Sequence, residues 1–270
     1  MILTEAAVPD DQRILTHCAD HIAHIVFNNP ARHNAMSLSM WQGLSARLAE
    51  YARDDDVRVV VLSGAGGKAF VSGADISEFG TKRSSGDTVA LYNRATNDAE
   101  AMVADFPKPI IAKIDGYCLG GGLGLAISCD IRICSAVSRF SIPAGKLGLG
   151  YDYAGVAKLV DVLGPAAATE LFYSGQMFSA DDASRLGLVN RVIPQDGFDQ
   201  AVDEFCMTIA QNAPLTMMAF KAALLERGKP SGERDTDRVQ QMVETCYASD
   251  DYCEGRLAYA EKRHPKFTGA

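Results

Sequence analysis

Ile110 to Asp130 reads IIAKIDGYCLGGGLGLAISCD. Ile110 to Ile114 is β-branched and apolar and follows Pro107 and Pro109, so it reads as a short buried strand. Asp115 and Gly116 turn the chain, and Gly120, Gly121 and Gly122 lead into Leu123 to Ser128, which has helical composition. A strand that runs through glycines into a helix leaves backbone N–H groups unpaired at the helix N-terminus. Those groups and the helix dipole favour negative charge, and glycines let a ligand approach the backbone closely. The same pattern is also what a turn needs when a helix packs tightly against a strand. A second stretch bears on the choice: Gly73-Ala74-Asp75 also follows a strand and precedes a helix. One N–H from each loop, meeting at one point, would form a two-donor oxyanion hole, each donor contributing on the order of 3 kcal/mol.

Outward from this stretch, Arg13 to His17 and Ile22 to Phe27 read as an antiparallel hairpin. Ser37 is positioned to cap a helix from about Leu38 to Ala52. Val57 to Leu62 is nearly all apolar, as expected of a strand covered on both faces. A polar segment at Ser77 to Asp87 precedes a helix from about Thr88 to Phe106, and Ile131 to Ser135 and Arg139 to Ile142 read as short strands. Beyond Gly155 the pattern turns helical: 156–163, 166–173, 180–186, 198–211, 214–227, 236–248 and 251–262, with 189–193 as the one strand. Alternating strands and helices imply right-handed crossovers and a mostly parallel sheet. The expected division is a core over 1–200 and a helical region over 201–270.

With 270 residues, nearly half of them apolar, and a net charge of −8, the chain has the make-up of a globular α/β protein. That charge disfavours non-specific nucleic-acid binding. No apolar run approaches the roughly 18 residues of a membrane span. The N-terminal MILTEAAVPDDQ lacks a basic segment followed by an apolar one, so no signal or transit peptide is expected. Seven scattered cysteines without a CxxC pair fit a reducing cytoplasm, with Cys118, Cys129 and Cys134 as small core residues.

The chain resembles the crotonase superfamily, or enoyl-CoA hydratase/isomerase family. The resemblance is carried by NPARHNAM at 29–36, KAFVSGADISEF at 68–79, GYCLGGGLGLAISCDIRI at 116–133, LGL at 147–149, GLVNRVIP at 187–194 and AYAEKRHPKF at 258–267. It implies an α/β spiral of ββα units with a helical C-terminal trimerisation region, and homo-trimers or hexamers. It implies a CoA thioester as substrate, with no resident cofactor, its carbonyl held between the N–H groups of Ala74 and Gly121. The implied CoA-binding residues are Arg32, His33, Ala74, Asp75, Ile76 and Ser77. Tyr259 and Lys262 would reach a neighbouring subunit's nucleotide, with Arg263 adding positive charge.

The chain departs from the family's hydratases where they carry two glutamates: here Gly124 and Ala144 stand at those positions. Gly124 leaves a space for an acyl group or a water. By position, Asp152 matches an aspartate that moves a proton in family dienoyl-CoA isomerases, and Tyr151 a tyrosine of family decarboxylases. A carboxylate in an apolar pocket would have a raised pKa and could shuttle protons. Alternatively, Asp152 caps the following helix and Tyr151 and Tyr153 only pack. Glu78 is a weaker candidate, Lys146 reads as surface, and His17, His21 and His24 read as structural. Leu91, Tyr92 and Met102 wall either the acyl pocket or the ordinary core. Isomerisation needs one proton-shuttling group and suits these residues better than hydration. Decarboxylation, C–C hydrolysis and acyl-CoA binding without turnover are the alternatives.

Overall fold

The computed structural model describes residues 9–75 and 86–270. Its first strands, β1 (Ile14–Ala19) and β2 (Ile22–Phe27), form an antiparallel hairpin. Asp20 and His21 both sit in the left-handed region, φ 51° and 65°, as a tight two-residue hairpin turn requires. His17 and His24 stack face to face across the hairpin, centroids 4.3 Å apart, and burial pushes the His24 imidazole down to about 4.

The next six strands come in pairs. β3 (Val59–Gly64) is followed by β4 (Ala69–Val71), β5 (Ile110–Ile114) by β6 (Tyr117–Leu119), and β7 (Ile131–Ser135) by β8 (Arg139–Ser141). The first member of each pair joins a six-stranded sheet of order β1-β2-β3-β5-β7-β10, where β10 is Arg191–Ile193. The second joins a four-stranded sheet of order β4-β6-β8-β9, where β9 is Phe178–Ser179. The helices that complete the units are α2 (Gly86–Ala104), α3 (Gly121–Ser128), and α4 (Ala144–Leu147) with α5 (Tyr153–Ser174). This is the spiral of ββα units that the resemblance implies.

The central strands of the large sheet are buried on both faces, and side-chain alternation sorts their residues. Val60, Leu62, Ile110, Ala112 and Ile114 face the main core with Trp41 and Leu44 of α1 (Leu38–Tyr51) and Leu123 and Leu125 of α3. Val59, Val61, Ile111 and Ile133 face the other way, against Phe198, Val202, Cys206 and Ala210 of α7 (Phe198–Ala210). Residue 200, the expected boundary, therefore lies inside a helix that covers the sheet. α6 (Ala180–Arg185) precedes α7; α8 (Pro214–Gly228), α9 (Thr236–Ala248) and α10 (Asp250–Glu261) follow it. Lys221 of α8 ties this region to the core through Asp130, 2.8 Å, and Arg58 does so through the carbonyls of Ala210 and Phe267.

The two helices expected at 156–163 and 166–173 are found as the two parts of Tyr153–Ser174, which breaks at Gly164, φ 73°; Pro165 has no N–H to bond backward. Three strands go unread in the sequence. β4, β6 and β9 have three, three and two residues, too short for periodicity to reveal inside glycine-rich or helical surroundings. Cys118, Cys129 and Cys134 are buried as expected. No helix among the described residues is long and apolar enough to cross a membrane.

Candidate active site

The loops after β4 and β6 lie side by side because those strands are parallel neighbours, Val71 opposite Cys118. A Cβ on Gly120 would stand 3.9 Å from the Gly73 Cα, so the two loops touch. A Cβ on Gly122 would fall inside contact distance of the Val71 carbonyl oxygen, which is why only glycine allows α3 to start this close to β4. Gly120 holds φ 53° and ψ −121° and turns the chain into α3. Its carbonyl accepts from Leu123 and Gly124, leaving Gly121 N–H ahead of the first helical bonds.

Ala74 is held by a parallel bridge to Met36: Met36 N–H donates to the Gly73 carbonyl at 2.8 Å and Asp75 N–H to the Met36 carbonyl at 2.9 Å. Such a bridge uses the groups on either side of Ala74 and leaves its own N–H for the opposite side. Among the described residues, neither Ala74 N–H nor Gly121 N–H has an acceptor. Trp41 supports both loops. A Cβ on Gly121 would be 3.9 Å from Trp41 Cζ2, Trp41 Nε1 donates to Tyr92 Oη at 3.1 Å, and Tyr92 donates to the Met36 carbonyl at 3.0 Å.

The segment before α1 is pinned to the Gly73 loop. Buried Asn34 donates to the Ala65 and Ala69 carbonyls, and Ser72 N–H donates to the His33 carbonyl. Arg32, half exposed, pairs with buried Asp75 at 3.0 Å. His33 stacks parallel to Tyr117, centroids 5.9 Å apart. Arg32, His33, Ala74 and Asp75 therefore gather at one edge of the site; Ile76, Ser77 and Glu78 lie outside the described residues. Tyr259 and Lys262 are exposed at the end of α10, which packs on α9, and share no hydrogen bond, ring stack or ion pair with that edge. The expected positive charge of Arg263 is neutralised locally by Glu254 and Glu261, each at 2.6 Å.

Asp152 caps α5: its Oδ1 accepts from Gly155 N–H at 2.8 Å and its Oδ2 from Asn97 Nδ2 at 3.0 Å. It is exposed. The burial expected for it is found instead at Glu100. Tyr151 is half-buried and packs edge-on against Phe172 at 5.1 Å; burial, with Glu100 and Asp152 adding to it, pushes its phenol up to about 12. Ala144 is buried at the start of α4, and Lys146 donates to the Gly175 carbonyl. Along α2, Tyr92 is buried, Leu91 is exposed and Met102 packs on the core.

The space beside Gly124 is occupied by Glu100 of α2. A Cβ on Gly124 would lie 2.6 Å from Glu100 Oε1. The Glu100 side chain is only 12% exposed, with Lys158 Nζ at 3.6 Å. Burial raises its carboxyl to about 7, against the pull of Lys158. Position 100 belongs to the inward stripe of α2 with Tyr92, Thr96, Ala99 and Val103. A carboxylate in that stripe, facing a helix with glycine at 124, is the signal that could have revealed it.

The raised carboxyl makes a stability prediction. Below pH 4.5 both folded and unfolded chains are protonated at Glu100; between 4.5 and about 7 only the unfolded chain ionises, so this group removes stability as pH rises. The full loss, on the order of 3 kcal/mol, is reached above pH 7. Glu100→Gln is therefore expected to gain stability over the parent between pH 5 and pH 8 in urea denaturation. A gap that stays constant with pH would contradict the assignment.

Residues 18–270 match the family model described as Enoyl-CoA hydratase/isomerase. The chain is 32% identical to the Short-chain-enoyl-CoA hydratase of Clostridium acetobutylicum, covering 90% of this chain and 92% of that one. It is 34% identical to the peroxisomal Delta(3,5)-Delta(2,4)-dienoyl-CoA isomerase of Arabidopsis thaliana, covering 91% and 92%. The crystal structure of an enoyl-CoA hydratase/carnithine racemase from Magnetospirillum magneticum superposes with a TM-score of 0.89 at 36% identity, covering 96% of both chains. The chain belongs to the enoyl-CoA hydratase/isomerase family.

Proposed function

We propose that this protein moves a double bond in an enoyl-CoA thioester, holding the thioester oxygen with the N–H groups of Ala74 and Gly121. The observation that supports this reading is the pair of N–H groups that have no acceptor among the described residues, in two touching loops, one of them opening an α-helix. Removing a proton from C2 of a 3-enoyl thioester sends an electron pair onto the thioester oxygen, where the two N–H groups stabilise it. Returning a proton at C4 gives the conjugated 2-enoyl product. One proton-carrying group suffices, and Asp152 and Tyr151, the candidates from the sequence, lie within electrostatic reach of Glu100, which stands beside Gly124. Water added to C3 of a 2-enoyl-CoA is the second reading; the exposed Asp152 carboxylate favours it, because solvent reaches that group.

The CoA portion would lie along Arg32, His33 and Asp75, with Ile76 and Ser77 as further contacts; the half-exposed Arg32 guanidinium supplies positive charge for phosphate. The CoA thioester is substrate, and no resident cofactor is proposed. Tyr259 and Lys262 would serve a neighbouring subunit in a homo-trimer or hexamer. Phe220, Tyr247, Leu257 and Tyr259, all exposed on α8 to α10, are consistent with such an interface. Seven unpaired cysteines suit a reducing, cytoplasmic setting.

The test is turnover of a short 3-enoyl-CoA, followed by the appearance of conjugated thioester absorbance, beside a 2-enoyl-CoA, followed by its loss. Appearance on the first supports isomerisation. Loss on the second alone supports hydration. No change on either, with tight CoA-ester binding, would move the assignment to decarboxylation, C–C hydrolysis or binding alone.

A further inference from the structure

We infer that Glu100 is the group that takes the proton from C2 and returns it at C4. The inference rests on the enolate reading above. Its basis is placement. Gly124 lies three residues past Gly121, so it presents the same side of α3 about 4.5 Å further along the axis. Glu100 Oε1 stands 2.6 Å from where a Gly124 Cβ would be. A thioester whose oxygen sits at Gly121 N–H and whose acyl chain runs along α3 carries C2 to C4 past this carboxylate. Glycine at 124 is what leaves room for Glu100 to reach α3 from a different helix.

The surroundings suit the task. Lys158 of α5 lies 3.6 Å from Glu100 and also donates to Ser128 Oγ at 3.1 Å, which fixes the ammonium between α5 and α3. From the start of α5, Asp152 adds a negative charge, and the neutral phenol of Tyr151 stands beside it. From α3, the neighbour is Gly124, which carries no charge. Burial poises the carboxyl near neutrality, where a group can both accept and donate a proton. The step balances without a co-reactant. The C2–H bond breaks, its proton goes to a Glu100 oxygen, and its electron pair passes into the enolate. As the C4–H bond forms, the proton leaves Glu100 and the C2–C3 double bond is made. Asp152, occupied by Gly155 N–H and Asn97, acts as a positioning residue: Asn97 sits one turn before Glu100 on α2.

The test compares the parent with Glu100→Gln and Asp152→Asn. The readouts are exchange of the C2 protons of butyryl-CoA in D2O and isomerisation of a 3-enoyl-CoA. Glutamine keeps the shape and cannot carry the proton, so both rates are expected to fall at least about 100-fold, with butyryl-CoA affinity retained and stability raised as predicted above rather than lost. The limb of the parent's pH–rate profile near pH 7 should vanish with it. Asp152→Asn is expected to lose less, because asparagine can still cap α5. Exchange in the parent that survives unchanged in Glu100→Gln, or that is lost only in Asp152→Asn, would overturn the role of Glu100 while leaving the enolate reading intact. Absence of exchange in the parent itself would overturn both.

Discussion

Gly121→Pro is expected to leave the protein folded and to lower kcat/KM by on the order of 100- to 1,000-fold, the loss of one oxyanion donor. Gly121 is the first residue of α3, and proline is well accommodated at a first helical position, where its missing N–H has no helical partner. A side chain there has space, since the nearest atom to an added Cβ is Trp41 Cζ2 at 3.9 Å. The preceding Gly120, at φ 53° and ψ −121°, adopts a backbone open to glycine ahead of proline. The substitution therefore removes a donor with little other change. Circular dichroism and urea unfolding check the fold, and steady-state kinetics on the best CoA ester check the activity. Full activity in a folded variant would refute the assignment of Gly121.

Trp41→Ala is expected to destabilise the protein by about 3–5 kcal/mol, the range for emptying a buried tryptophan site. Trp41 is 1% exposed and lies in the core between α1 and the sheet. Its removal opens a cavity directly beneath Gly121 and strips Tyr92 Oη of its donor. Tyr92 in turn bonds to the Met36 carbonyl, and Met36 holds Ala74. The loss should appear as a lower urea midpoint at unchanged slope. Trp41→Phe, which fills most of the volume but lacks the indole N–H, should cost less stability. A Trp41→Ala midpoint within experimental error of the parent would contradict this packing.

Most of the architecture is legible because the central strands of the large sheet are buried on both faces. Val57 to Leu62 and Ile110 to Ile114 are apolar runs bounded by turn residues, and the hairpin at Ile22 to Phe27 and the cap at Ser37 follow from local chemistry alone. The second sheet is not legible in the same way. Ala69–Val71 and Tyr117–Leu119 are three-residue strands beside glycines, and their pairing is set by tertiary contact. At the site, the two glycine loops, Arg32 and Asp75 are visible as motifs, and their juxtaposition needs the fold. Asp152 presents the helix-cap signature that its contacts display. Glu100 is the case where the sequence is least informative: its significance comes from Gly124, on a different helix, and only packing of α2 against α3 brings the two together.

The most direct measurement of the central claim is the infrared carbonyl stretch of a bound enoyl-CoA thioester labelled at C1, in the parent and in Gly121→Pro. Two N–H donors on the thioester oxygen should weaken the C=O bond, so a clear downshift from the free ester is expected in the parent, reduced in the variant. Equal frequencies for the free ester and the ester bound to the parent would show that no oxyanion hole acts on the substrate, and the proposed chemistry would fall with it.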